Sequence, residues 1–139
     1  MSDEMALLAA IRDNPKEDTP RLMYADWLQE RATTEAERAR AEFIRVQVEK
    51  TALDSHRDEF PDRFQYLEER EKKLQTRFAR EWLAPFAGAE VARARFFMGF
   101  LAGIEFRADR CDAEARPPWH REPFAPVKLS GSAKAIRRL

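Results

Sequence analysis

The 139 residues predict a mainly α-helical single domain, residues 1–139, in which a four-helix N-terminal bundle is followed by a small β-containing appendage. Three observations predict it. All 4 glycines and five of the 8 prolines fall after residue 83, whereas residues 1–83 carry apolar side chains at helical spacings. Charge shifts at the same point, because residues 1–83 hold 15 basic and 19 acidic residues (balance −4) and residues 84–139 hold 10 and 6 (balance +4). The length is that of one core, and 10 Phe with 3 Trp supply the apolar mass to fill it.

Taking the elements in order, the spacing predicts a first helix over about 3–12. Ser2 is its candidate cap, Asp3 and Glu4 face the positive helix end, and Met5, Leu8 and Ile11 form one stripe. Asn14-Pro15 stops it. Asp18-Thr19-Pro20 restarts the chain, with Thr19 as cap and Pro20 at the first helical position, where its missing N–H would have no partner anyway. Tyr24 with Leu28 and Met23 with Trp27 give this second helix a wide apolar arc, so it is expected well inside the bundle.

Thr34-Glu35-Ala36-Glu37 is a capping-box pattern opening a third helix, whose face is set by Phe43, Val46 and Lys50 with Ile44 and Val48 alongside, as far as about Leu53. Pro61 opens a fourth. Its Phe64, Leu67, Leu74, Phe78 and Trp82 fall at steps of three, four or seven, with Glu71 filling the step between Leu67 and Leu74, and Pro85 ends it. The run from Arg93 to Arg107, with Phe97, Phe100, Ile104 and Phe106 between Gly99 and Gly103, predicts an extended segment bent at the glycines. A second extended run, Pro126 to Gly131, is placed to pair with it. Loop or short helix is expected from Asp109 to Pro123.

Several function classes lose support at this level. The 25 basic and 25 acidic residues cancel, which argues against a nucleic-acid footprint, although Lys128, Lys134, Arg137 and Arg138 keep a basic-tail reading open. No apolar stretch approaches the ~20 residues of a membrane span. A single cysteine, Cys111, and an opening without a basic start and apolar core predict a cytoplasmic protein. His56, His120 and Cys111 lack the spacing of a zinc site, and neither a glycine-rich phosphate loop nor a nucleophile elbow is present, so no cofactor is expected. Asp26 and Glu30 lie one turn apart, so a small hydrolytic or metal-dependent enzyme using an Asp18/Asp26/Glu30 face is the rival reading. Arg21 and Asp26 are instead expected to pair with Arg40, Arg45 or a tyrosine hydroxyl and so fix the second helix on the third.

The string Asn14-Pro15-x-x-Asp18-Thr19-Pro20-Arg21-Leu22-x-Tyr24-Ala25-Asp26-Trp27-Leu28-x-Glu30-Arg31, followed by Arg40-Ala41-Glu42-Phe43-Ile44-Arg45-Val46-Gln47, resembles the bacterial repeat-companion domain over about residues 6–47. Arg95-Phe96-Phe97-Met98-Gly99-Phe100-Leu101, and then Pro126-Val127-Lys128-Leu129, are similar to the passage that leads into the repeats of longer relatives. The resemblance implies a short helical module ahead of leucine-rich-type repeats, with Asp18, Thr19, Pro20, Arg21, Tyr24, Asp26 and Trp27 as its structural motif. The chain stops at Leu139, with any repeat array absent or removed. The resulting expectation is a noncatalytic protein-interaction or adaptor module. Its partner surface lies on the appendage at Phe97, Phe100, Ile104, Val127, Lys128 and Leu129, where an outer strand edge would take a protein partner or a second copy of the chain.

Overall fold

The computed structural model describes residues 3–84, 91–107 and 127–130, with side chains placed for 3–84 and 95–102. Four helices come first: α1 Asp3–Asp13, α2 Asp18–Arg31, α3 Glu35–Leu53 and α4 Pro61–Trp82, with one 3-10 turn, Asp54–His56, between the last two. Three strands follow: β1 Val91–Phe97, β2 Phe100–Arg107 and β3 Val127–Ser130. The expected class, a four-helix part with a small β appendage, is the observed one.

Local chemistry accounts for most boundaries. Thr34 caps α3 by accepting the Glu37 N–H at 3.2 Å, while its hydroxyl donates to the Glu37 carboxylate at 3.3 Å. Pro61 opens α4 as expected. The start of α2 corrects the expectation, because Glu17 occupies the cap position without a side-chain hydrogen bond and Pro20 lies inside the first turn. The physical reason still holds there, since none of the first four helical N–H groups has an intrahelical acceptor.

The third helix is the centre of the bundle, with α2 and α4 both packed against it and α1 against α2. It separates two cores. Leu8, Ile11, Tyr24, Ala25, Ile44, Val48, Met98 and Phe100 form one, with Trp27 and Leu28 packed at its side. Phe43, Val46, Leu67, Leu74, Phe78 and Trp82 form the heart of the other, with Phe96 against it. The arc of α2 is narrower than its composition predicts: Met23 is 54% exposed, whereas Arg21, Tyr24 and Ala25 are buried. An arginine takes the place in the interior that Met23 was expected to share. Met5, expected in the α1 stripe, is likewise half exposed.

The sheet has strand order β1-β2-β3, β1 antiparallel to β2 and β3 parallel to β2. The single bent run expected across Arg93 to Arg107 is thus a complete hairpin, Phe97 pairing with Phe100 around a two-residue turn, Met98-Gly99. Gly103 does not bend the chain away; it stays in β2 opposite Arg95, next to a register shift.

Candidate functional site

The hairpin turn is where the helical part and the sheet are joined. Met98 and Gly99 both have positive φ, 48° and 91°, as the tightest hairpin loops require. Gly99 needs no side chain there, but Met98 adopts a conformation that costs a non-glycine residue energy. Side chains of α2 and α3 hold this turn by its backbone. Arg21 Nη1 donates to the carbonyls of Phe97 and Met98, both at 3.1 Å, and its Nη2 donates to the carbonyl of Pro15 at 2.7 Å. Arg40 Nε donates to the Gly99 carbonyl at 3.1 Å, and the Gly99 N–H donates to Gln47 Oε1 at 2.6 Å. The turn lies so close to α3 that a Cβ on Gly99 would stand 2.6 Å from the Cα of Ile44.

Arg21 is the most unusual of these groups, with 1% of its surface exposed. Burial pulls its guanidinium below the ordinary arginine value, and the nearby Asp18 carboxylate works in the opposite direction. Three backbone carbonyls, together with the rings of Phe97 and Phe100 about 5.5 Å away, surround the charge. Its planar fork suits this task better than an ammonium would.

Beside the turn lies a cleft of about 360 Å³ between the C-terminal half of α3, the middle of α4 and the residues leading into the turn. Gln47, Lys50 and Glu71 line one side, and Phe96, Phe97 and Met98 the other. Lys50 Nζ reaches both Glu71 oxygens at 3.3 Å, and both side chains are about three-quarters buried. At the rim, Asp54 pairs with Arg57.

The positions expected from the sequence separate into three groups. Phe97 is 48% exposed, as a contact surface needs, but Phe100 is not: it is 2% exposed, its ring 5.4 Å from that of Tyr24. The turn folds Phe100 back onto the helices, so it is a core residue. Ile104, Val127, Lys128 and Leu129 are strand positions, with Ile104 opposite Val127, Glu105 opposite Lys128 and Phe106 opposite Leu129. Cys111, His120, Lys134, Arg137 and Arg138 lie outside the described residues, as do Ser2, Pro85 and the stretch 109–123.

The motif residues divide between scaffold and surface. Asp26 accepts from Arg45 at 2.6 Å, one of the pairings anticipated for it, whereas the described acceptors of Arg21 are backbone carbonyls, which the expected set of Arg40, Arg45 or a tyrosine hydroxyl did not include. The Tyr24 hydroxyl donates to Glu4 at 3.2 Å. Trp27 packs at the side of the first core. Asp18, Asp26 and Glu30 are all exposed, and no group of three or more metal-ligating side chains is found among the described residues.

Gln47 and Arg40 hold the turn in a way that the sequence alone does not show. The motif string contains Gln47 but gives it no role, and Arg40 reads there as a partner for side chains. A polar residue at the buried a-like step between Phe43 and Lys50 is the signal that could have exposed Gln47.

No model of a known protein family matches the chain, and neither a curated protein nor a solved structure matches it. None of the described helices is long and apolar enough to cross a membrane.

Proposed function

We propose that this chain is a noncatalytic interaction module of the repeat-companion type, whose sheet serves as the starting template for a stack of parallel strands. One observation carries the reading: β3 lies parallel to β2, and each residue of β3 faces the residue 23 positions before it, from Ile104 with Val127 to Arg107 with Ser130. Parallel in-register pairing at a constant offset is how a solenoid coil closes on itself, and leucine-rich repeats use periods of about 20 to 29 residues. The first strand pair of such an array would need anchoring to a body with its own core. The turn held by Arg21, Arg40 and Gln47 supplies that anchor through β2.

The test is to append consensus leucine-rich repeats so that their first strand begins 23 residues after Val127, and to compare their thermal unfolding with the same repeats alone. A template should make repeats and helices melt together, above the melting point of the free repeats, because terminal repeats depend on a cap. Repeats that melt independently at their own temperature would rule the template out. The cytoplasmic location and the absence of catalysis are part of the same reading, in which the exposed Asp18, Asp26 and Glu30 carboxylates belong to an ordinary solvated surface.

A further inference from the structure

Three polar residues interrupt the apolar seam between α3 and α4 in one place. Lys50 stands one turn beyond Val46, where the face would continue with an apolar side chain, and Glu71 stands between Leu67 and Leu74 on the facing helix. A largely buried ion pair such as this one is weak support for a helix pair, since the desolvation of both charges offsets most of their attraction. Two apolar residues would pack this seam at least as well. The third, Gln47, is 8% exposed, and its Oε1 is committed to the Gly99 N–H. Its Nε2 amide has no hydrogen-bond partner among the described residues, and Gln47 lines the cleft.

We propose that the cleft beside the hairpin turn binds an extended peptide segment through one apolar side chain and the backbone amide next to it. The apolar side chain seats against Phe96 and Phe97, of which Phe97 is half exposed while the rest of the turn is buried. Gln47 Nε2 and Lys50 Nζ donate to the peptide carbonyl, and Glu71 accepts from its N–H. Charge favours this occupant. Lys50 is paired with Glu71 inside the cleft, and Asp54 with Arg57, which stands outside the lining, so each charge at the cleft already has a counter-charge and a neutral amide suits it better than a carboxylate or an ammonium. The volume, about 360 Å³, is at the small end for a ligand site and matches one side chain with its flanking amides. This surface is separate from β3, so the proposal does not depend on the strand template.

The probe is the blocked tripeptide acetyl-Gly-Phe-Gly-amide, titrated into the isotopically labelled full chain while the Gln47 side-chain amide and the Met98 methyl are followed by NMR. Both signals should shift and saturate together. Phe97→Ala should weaken binding about tenfold, as loss of an exposed aromatic contact does. A double variant, Lys50→Met with Glu71→Leu, should melt no lower than the parent chain yet lose saturable binding, which separates recognition from folding. N-acetylphenylalanine and phenylalanine amide, the anionic and cationic probes, should bind more weakly than the neutral peptide. Tighter binding of either charged probe, the absence of a saturable shift at Gln47, or undiminished binding by Phe97→Ala or by the stable double variant would each overturn the proposal.

Discussion

A guanidinium removed from water must recover several kcal/mol through its partners, and Arg21 recovers it from the carbonyls of Phe97, Met98 and Pro15. Two of those carbonyls belong to the turn, so the arginine stabilises the hairpin as well as itself. Arg21→Met should therefore destabilise the chain by about 3 to 5 kcal/mol, because the truncated site leaves buried carbonyls without donors. Arg21→Lys should recover less than half of that loss, since one ammonium cannot reach three carbonyls from a fixed plane. Chemical denaturation of both variants measures the difference, and full rescue by lysine would show that charge alone suffices. Gly99→Ala is a second test of the same contact. Positive φ and a Cβ 2.6 Å from the Ile44 Cα should together cost more than about 2 kcal/mol, and shrinking the Ile44 side chain should not restore it because the clash includes backbone. Neither role was legible in the sequence. Backbone carbonyls leave no mark in the choice of residues around them, so the sequence directs the search for partners of Arg21 to side chains. Met98, a poor turn former, likewise concealed the hairpin.

Between elements, the pairing of α3 with α4 is written in a plainer code. Glu35, Glu42 and Glu49 recur every seven residues on α3, and Arg63, Arg70 and Arg77 recur every seven on α4. Run antiparallel, they meet as Glu35 with Arg77, Glu42 with Arg70 and Glu49 with Arg63. The ladder fixes direction and register beside the apolar seam, a use of flanking charges familiar from coiled coils. Sequence reading found the seam at Phe64, Leu67, Leu74, Phe78 and Trp82 because apolar periodicity is visible within one helix. The charges carry no such signal within one helix, because a ladder exists only once two helices are compared. Reversing Glu35, Glu42 and Glu49 to Arg should cost about 1 to 3 kcal/mol at low salt, less at high salt, and adding Arg63→Glu, Arg70→Glu and Arg77→Glu should return most of it. Unchanged stability in the first variant would mean that the seam alone sets the register. Acid pH offers a second measure. The hydrogen bond from Arg70 holds the Glu42 carboxyl below its ordinary 4.5, against a smaller opposing effect of burial. A carboxyl depressed in the folded state adds stability above its unfolded value and loses it as pH falls through the lowered folded value. Glu42→Gln should accordingly flatten the fall in stability below about pH 4.5, with the size kept small by the 40% exposure of Glu42.

At the scale of the whole molecule, the two cores face opposite sides of α3, and the hairpin is the one strand unit described as entering both. Phe100 and Met98 join the first, and Phe96 joins the second, where its ring lies 5.2 Å from that of Phe43 and 6.1 Å from that of Trp82. Residues four apart on one hairpin thus connect cores that the helices alone join only through α3. Cooperative unfolding depends on such shared contacts, since regions with few of them open by themselves. Trp27 beside the first core and Trp82 within the second report each core separately. In variants that keep only one of them, Trp82→Phe with Trp119→Phe or Trp27→Phe with Trp119→Phe, each tryptophan should follow the same melting curve as the helical circular dichroism of its own variant. Adding Gly99→Ala should then separate the two, because a turn pushed off Ile44 withdraws Phe100 and Phe96 by different amounts. The first core should melt earlier, since Met98 and Phe100 are two of its buried members, whereas the second keeps Phe43, Leu67, Leu74 and Phe78 around Trp82. Distinct melting of Trp27 and of helicity in the variant that retains Gly99 would show that the cores are already independent and that the hairpin does not couple them.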